Sequence, residues 1–191
     1  MMTLPNIITL SRIGLIPVFV GLFYLQPIYL EGEPLAWINN SLVAIYVLIS
    51  STDFLDGLIA RKLNQISDLG TFLDPVADKL MVCVALILLT DYYHTWFITI
   101  PSIIIISREI LVSALREWMG EIGKRAKISV SWIGKSKTFM QKFAILFLLY
   151  DQMLFGISSF NIGLVLLFIA TVLTLWSGFN YLTAGLKTFD S

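Results

Sequence analysis

The sequence predicts an all-α integral membrane protein with six transmembrane helices. Apolar residues make up 57% of the 191 residues and charged residues 14%, whereas soluble domains average about 45–50% and about 25%. A helix needs about 20 apolar residues to cross a bilayer, and it satisfies its own backbone hydrogen bonds there. Six apolar runs approach or exceed that length: 13–30, 38–60, 75–91, 96–115, 138–158 and 162–186. The whole chain, 1–191, is predicted to be a single membrane domain.

The distribution of Lys and Arg predicts the orientation of these helices. The segments 31–34, 91–95 and 151–161 contain no Lys or Arg, whereas the alternate segments contain several. Short loops rich in Lys and Arg remain in the cytoplasm, so both termini are predicted to be cytoplasmic. Residues 1–12 mix polar and apolar residues around Pro5. They are predicted to form a short interfacial segment before the first crossing.

Charge and composition exclude several functional classes. Thirteen basic residues balance thirteen acidic ones, so the net charge gives no reason to expect a nucleic-acid partner. The single cysteine, Cys83, excludes an internal disulfide framework and a cysteine-based zinc site. The single histidine, His94, excludes a metal centre with several histidine ligands.

Acidic residues cluster around the turn between the second and third predicted helices. Five of them fall within residues 53–78: Asp53, Asp56, Asp68, Asp74 and Asp78. An aspartate inside a bilayer costs about 2.5–3.5 kcal/mol, so such a cluster requires compensation. At about 100° per residue, Asp53 and Asp56 share one helix face, and Asp74 and Asp78 share a face of the next helix. Two helices joined by a short turn are therefore predicted to direct four carboxylates at one point.

Four clustered carboxylates predict a site for two divalent cations, Mg²⁺ or Mn²⁺. Ligands that are all oxygen suit these hard cations better than zinc or copper, and two dications balance four carboxylates. Paired metals about 3.5–4 Å apart recur in in-line phosphoryl chemistry. Gly57 and Ala60 leave the adjacent helix face open to a bulky ligand, and Arg61 offers a bidentate donor for phosphate oxygens.

Structural roles are alternatives for some of these residues. Small residues such as Gly57 and Ala60 also serve close helix packing in membranes. Asp74 precedes Pro75 and also fits the N-cap of a helix. Capping does not account for both aspartate pairs, so the metal site is our interpretation of the cluster.

The spacing of these residues resembles the signature of the CDP-alcohol phosphotransferase family. The matching residues are Asp53, Asp56, Gly57, Ala60, Arg61, Gly70, Asp74 and Asp78. Three segments, 73–79, 107–118 and 132–138, resemble bacterial members of that family that use glycerol 3-phosphate as acceptor. The resemblance implies a homodimer of six-helix subunits in the bacterial inner membrane, with a two-metal site facing the cytoplasm.

The same resemblance implies substrates and residue roles. Members of the family displace CMP from a CDP-linked lipid by the hydroxyl of an alcohol, so the expected substrates are CDP-diacylglycerol and glycerol 3-phosphate. The implied metal ligands are Asp53, Asp56, Asp74 and Asp78, and Asp78 is also the expected catalytic base. The residues expected to bind the CDP-lipid are Gly57, Ala60, Arg61 and Ser67, together with Asn6, Thr9 and Arg12 from the N-terminal segment.

Basic residues of the fourth and fifth helices predict the acceptor site. An unpaired Arg108 within a span would be costly, and Arg116 lies about two turns later on nearly the same face. Glu109 points about 100° away from Arg108 and is predicted to be a poor partner for it. Together with Lys135 and Lys137 at the start of the fifth helix, these cations suit a small dianionic acceptor.

Other interpretations of these patterns remain open. Lys135 and Lys137 also fit ordinary cytoplasmic anchors, the role that we assign to Lys124, Arg125 and Lys127. Inositol phosphate is an alternative anionic acceptor, whereas serine would not need the basic residues. A divalent-cation transporter is an alternative of a different class. Transport sites, however, tend to lie near the membrane midplane between repeats, and no internal repeat is visible.

Overall fold

The structure, a computed structural model, describes residues 4–26, 36–63, 68–121, 132–154 and 156–189. Six helices form most of that part of the chain: α1 (Leu4–Tyr24), α2 (Ala36–Leu63), α3 (Asp68–Tyr93), α4 (Trp96–Glu121), α5 (Trp132–Tyr150) and α6 (Ser159–Phe189). Strands β1 (Met153–Leu154) and β2 (Ile157–Ser158) pair antiparallel between α5 and α6. The predicted helical fold is confirmed, with a helix at each of the six apolar runs.

Tyrosine side chains connect the helices at one end of the bundle. The hydroxyl of Tyr24 donates a hydrogen bond to Asp91 Oδ2 at 3.3 Å, and that of Tyr93 donates to a backbone carbonyl of α5 at 2.9 Å. The Tyr92 hydroxyl lies 3.5 Å from Asp151 Oδ2. The C-terminal ends of α1, α3 and α5 therefore meet at this end, which we call the tyrosine end.

Interhelical ion pairs connect the helices at the opposite end. Lys142 of α5 lies 2.7 Å from Asp78 of α3. Lys137, one turn nearer the start of α5, pairs with Glu109 in the second half of α4. Successive helices therefore run in alternating directions, and we call this end the basic end.

Apolar side chains fill the interior between the two ends and also cover the outside. The completely buried ones include Phe19, Leu42, Leu86, Ile98, Ile105, Ile145 and Leu167. The outward ones are between 58% and 69% exposed and include Trp96, Ile103, Ile110, Val172, Trp176 and Phe179. Proteins that function in water rarely leave so much apolar surface exposed. This outer surface is suited to contact with lipid.

Three of the described helices are long and apolar enough to cross a membrane. Their apolar windows are Asn6–Tyr24 in α1, Trp96–Gly120 in α4 and Ser159–Thr183 in α6. The other three helices, α2, α3 and α5, contain 28, 26 and 19 residues. The chain is therefore a multi-pass membrane protein.

Several helix boundaries differ from the predicted runs, and two of these differences have a local explanation. Residues 4–12 continue directly into α1, so the segment expected to precede the first crossing is part of that helix. Pro5 is tolerated there because a proline in the first turn has no helical N–H bond to lose. The second difference is the end of α5, which lies at Tyr150, whereas the predicted run continues to residue 158. The next residue, Asp151, has a φ of 43°, a left-handed conformation that stops the helix.

Candidate functional site

The predicted acidic pairs lie on consecutive helices at the basic end. Asp53 and Asp56 belong to the last three turns of α2, and Asp74 and Asp78 belong to the first three turns of α3. A link of four residues, 64–67, joins the two helices, so their adjoining ends lie within about 18 Å. Several predicted site residues lie outside the described side chains: Asp53, Asp56, Gly57, Ala60, Arg61, Ser67, Asp74 and Lys135.

Asp78 is the member of the acidic cluster whose side chain the structure describes. Its side chain is 33% exposed, and its Oδ1 lies 2.7 Å from Lys142 Nζ. The carboxylate is therefore charge-compensated by α5 and still accessible from the basic end. An accessible carboxylate can accept a proton or contribute an oxygen ligand to a cation.

The residues assigned to the cation site fit a hard divalent metal by their chemistry. All four are aspartates, and carboxylate oxygens are the ligands that Mg²⁺ and Mn²⁺ prefer. Asp78 shows that one of these carboxylates is reachable from outside the bundle. Among the side chains that the structure describes, no group of three potential metal ligands comes together. The metal site therefore remains a prediction.

The first turns of α1 present a polar face to the interior of the bundle. Asn6, Thr9 and Arg12 follow one another at intervals of three residues and are 1%, 0% and 2% exposed. Residues three apart share one side of a helix, and α1 packs against both α2 and α3. The three residues are therefore enclosed beside the helices that carry the aspartates. Their contact with a CDP-lipid remains a prediction.

A polar cavity of about 230 Å³ opens between α3, α4, α5 and α6. We call it the basic pocket, and it is lined by Lys79, Arg108, Glu109, Val112, Ser113, Arg116, Lys137, Thr138, Ser177 and Tyr181. Three of the cations predicted to bind the acceptor, Arg108, Arg116 and Lys137, are thus brought together. Lys79 directly follows Asp78 in α3, so the pocket adjoins the acidic cluster.

The pairing of Glu109 corrects the prediction made from the sequence. Glu109 Oε1 accepts a hydrogen bond from Arg108 Nη1 at 3.4 Å and also forms an ion pair with Lys137. Lys137 is 3% exposed and needs this partner, because a buried ammonium without one is costly. The prediction considered only the angle between neighbouring residues of α4. It missed the ion pair because Lys137 comes from α5 and because the Glu109 side chain is long enough to reach both Arg108 and Lys137.

Arg108 is held mainly by α6. Its Nη2 donates a hydrogen bond to Ser177 Oγ at 3.1 Å, and its guanidinium carbon lies 5.7 Å from the centre of the Tyr181 ring. The second distance is within the range of a cation–π contact. Arg108 therefore reaches the basic pocket from α4, and α6 adds two contacts to the one that Glu109 makes.

Sequence reasoning missed six polar residues of the pocket: Lys79, Glu109, Ser113, Thr138, Ser177 and Tyr181. Lys79 had a usable signal, because it directly follows Asp78, and it contacts Ser113 of α4. Glu109, Ser177 and Tyr181 had none, since their roles depend on how α4, α5 and α6 pack together. Neither periodicity nor charge pattern specifies which faces of three separate helices meet.

The fold and the pocket together define a multi-pass membrane protein with a basic, phosphate-sized cavity beside an acidic helix pair. A model of the CDP-alcohol phosphatidyltransferase family matches residues 2–176. The chain belongs to this family, and the expectation drawn from the 53–78 signature is confirmed.

Individual bacterial proteins resemble the chain over nearly its whole length. A protein of Pectobacterium atrosepticum is 48% identical over 184 residues, which cover 95% of this chain and 94% of that protein. Proteins of Salmonella typhimurium and Escherichia coli K12 are 46% and 45% identical over 182 residues, with the same coverage. All three relatives are named CDP-diacylglycerol–glycerol-3-phosphate 3-phosphatidyltransferase.

Proposed function

We propose that this protein transfers the phosphatidyl group of CDP-diacylglycerol to glycerol 3-phosphate. The products are phosphatidylglycerol phosphate and CMP. The observation that carries the proposal is the basic pocket beside Asp78, in a chain whose relatives are named for this reaction. Family membership also favours a transferase over the cation transporter considered from the sequence.

The basic pocket has the charge and size for the acceptor. Four cationic side chains and one carboxylate line it, which leaves an excess of positive charge for a dianionic phosphate ester. Its volume of about 230 Å³ is below the roughly 300–1,000 Å³ of sites that hold drug-sized ligands. We assign the phosphate of the acceptor to Arg108, Arg116, Lys135 and Lys137, of which Lys135 lies outside the described side chains.

The reaction is a displacement at the lipid-linked phosphorus of the donor. The primary hydroxyl of glycerol 3-phosphate forms a new oxygen–phosphorus bond, and the bond to the bridging oxygen of the pyrophosphate breaks. The electron pair of that bond leaves with CMP, and we assign the hydroxyl proton to Asp78. Its accessible carboxylate, one residue from Lys79 of the pocket, supports this role.

We assign two Mg²⁺ or Mn²⁺ ions to Asp53, Asp56, Asp74 and Asp78. When bound, such ions neutralise charge on the pyrophosphate and lower the pKa of a coordinated hydroxyl. The nucleotide of the donor is assigned to Gly57, Ala60, Arg61 and Ser67, together with Asn6, Thr9 and Arg12. The enclosed polar face of α1 supports the last three assignments.

Removal of divalent metal is expected to stop the reaction. Excess EDTA should abolish CMP release by the purified protein, because four clustered carboxylates repel one another without dications. Added Mg²⁺ or Mn²⁺ should restore the rate, as followed by chromatography of released CMP. Full activity in EDTA, or rescue by Zn²⁺ alone, would contradict the assignment of a hard-cation site.

We place the protein in the bacterial inner membrane with both termini and the basic end on the cytoplasmic side. The alternation of helix direction and the absence of Lys and Arg from 91–95 and 151–161 support this orientation. In this arrangement all six helices cross the bilayer, and the site meets the headgroup of a lipid whose acyl chains stay in the inner leaflet. We also assign a homodimer, as the family resemblance implies.

A direct assay of the acceptor tests the proposed function. Purified protein with CDP-diacylglycerol and Mg²⁺ is given glycerol 3-phosphate, inositol phosphate or serine in separate reactions. We expect CMP release and a new anionic lipid with glycerol 3-phosphate and a rate at least about tenfold lower with the other two, since a 1.4 kcal/mol difference gives tenfold discrimination. A higher rate with either alternative, or metal flux into proteoliposomes without CMP release, would overturn the proposal.

A further inference from the structure

Three residues within little more than one turn of α6 lie against the side chain of Arg108. Ser177 accepts a hydrogen bond from Nη2 at 3.1 Å, and Tyr181 places its ring 5.7 Å from the guanidinium carbon. Gly178 lies between them against the aliphatic part of the same side chain. We call Ser177, Gly178 and Tyr181 the α6 anchor. The family model matches the chain to residue 176, and the anchor begins at the next residue.

Gly178 provides the space that Arg108 occupies. A Cβ atom built on Gly178 would lie 3.2 Å from Arg108 Cγ and 3.8 Å from its Nε. The first distance is shorter than ordinary carbon contacts of about 3.5–4.0 Å, so a side chain at 178 would require Arg108 to move away from α6. The absence of a side chain at 178 therefore lets Arg108 lie directly on the α6 backbone.

Ser177 holds the guanidinium in a defined orientation. Ser177 is 4% exposed, and its hydroxyl donates a hydrogen bond to the carbonyl of Thr174 at 3.1 Å. The remaining lone pairs of Oγ face Arg108 and accept from Nη2. The hydroxyl is thus oriented from both sides, and it fixes one edge of the guanidinium before any ligand arrives.

We propose that the α6 anchor positions Arg108 for the phosphate of the acceptor and thereby sets the affinity for that substrate. The proposal rests on the proposed function, since it takes the basic pocket as the acceptor site. Holding an arginine in place before binding removes the entropy that the ligand would otherwise lose in ordering it. Ser177 and Tyr181 also line the pocket, whereas Gly178 acts only through Arg108. In this proposal all three are positioning residues.

The Gly178→Ala variant tests the proposal. The added methyl group should move the guanidinium away from its position, so the KM for glycerol 3-phosphate is expected to rise about three- to tenfold. The KM for CDP-diacylglycerol and the Tm in detergent should stay at the wild-type values. Ser177→Ala, which removes the hydrogen bond without adding bulk, should change the acceptor KM in the same direction.

Two comparisons separate positioning from general damage. Gly163 of α6 is the matched control, because a Cβ there would lie 2.8 Å from Leu148 Cγ, far from Arg108 in the sequence and in the fold. Gly163→Ala should lower the Tm and leave the acceptor KM unchanged. In an Arg108→Ala background, Gly178→Ala should have no further effect on the acceptor KM, since the side chain that it displaces is gone.

The outcomes distinguish this proposal from the proposed function. If the wild-type protein releases no CMP with glycerol 3-phosphate, the proposed function fails. If it does, but Gly178→Ala and Ser177→Ala both keep the wild-type acceptor KM, the positioning role is wrong. Equal increases in the KM of both substrates, or additive effects with Arg108→Ala, would also overturn it.

Discussion

The Asp78→Asn variant is expected to lose at least about a thousandfold in kcat while remaining folded. General-base assistance contributes about 10²- to 10⁴-fold, and the same change also weakens an assigned metal ligand. Asparagine has nearly the same shape, and the side chain is partly exposed beside Lys142, so the helices should keep their packing. CMP release and the Tm in detergent measure the two effects separately.

A matched aspartate at the tyrosine end controls for the substitution itself. Asp91 accepts a hydrogen bond from Tyr24 at 3.3 Å and is remote from the acidic cluster. Asp91→Asn should keep CMP release within about twofold of wild type, because Asp91 lies at the opposite end of α3 from Asp78 and a weakened hydrogen bond changes stability by only about 1 kcal/mol. If Asp78→Asn kept more than a tenth of the wild-type rate, Asp78 would not be the base.

The Arg108→Ala variant is expected to raise the KM for glycerol 3-phosphate about 10- to 100-fold. A hydrogen bond to a charged group contributes about 1.5–3 kcal/mol, and a tenfold change corresponds to 1.4 kcal/mol. The KM for CDP-diacylglycerol should change less than about twofold, because the nucleotide is assigned to residues of α1, α2 and the link 64–67 and none of α4. Initial rates with each substrate varied in turn give both constants.

Two further variants make the result specific to the guanidinium in the pocket. Arg108→Lys keeps the positive charge but loses the planar guanidinium, which can donate two parallel hydrogen bonds. It should therefore have an acceptor KM between those of Arg108→Ala and the wild type. Lys124→Ala removes a cation that the sequence assigns to membrane anchoring, and it should leave both KM values unchanged. Equal losses of acceptor and donor affinity in Arg108→Ala would count against the acceptor pocket.

Much of the fold was predictable from local pattern, because apolar length determines where a chain can cross a membrane. The predicted runs 96–115 and 162–186 correspond to α4 and α6. The residues at which the helices begin and end were less predictable. The termination of α5 at Tyr150 depends on the left-handed Asp151 and the hairpin that follows, and neither interrupts the apolar pattern strongly enough to mark a boundary.

Three charged residues of the candidate site were also predictable from the sequence, whereas the residues whose roles depend on helix packing were not. Arg108 was predictable because a charge inside an apolar run is conspicuous, and Arg116 and Lys137 because they lie at the ends of the same run and the next one. The structure brings all three to one cavity. Glu109 was misjudged, since its principal partner is on another helix. Ser177 and Gly178 gave no signal at all, because neutral small residues within a span are common and acquire meaning only from what packs against them.

The ion pair of Glu109 with Lys137 has a consequence for the resting enzyme. The four cationic side chains that line the basic pocket repel one another when it is empty. Glu109 serves as a built-in counter-ion that offsets part of this charge between turnovers. If the pocket binds the phosphate of the acceptor as proposed, that phosphate competes with Glu109 for Arg108 and Lys137, and the competition would limit how tightly the acceptor and the product are held.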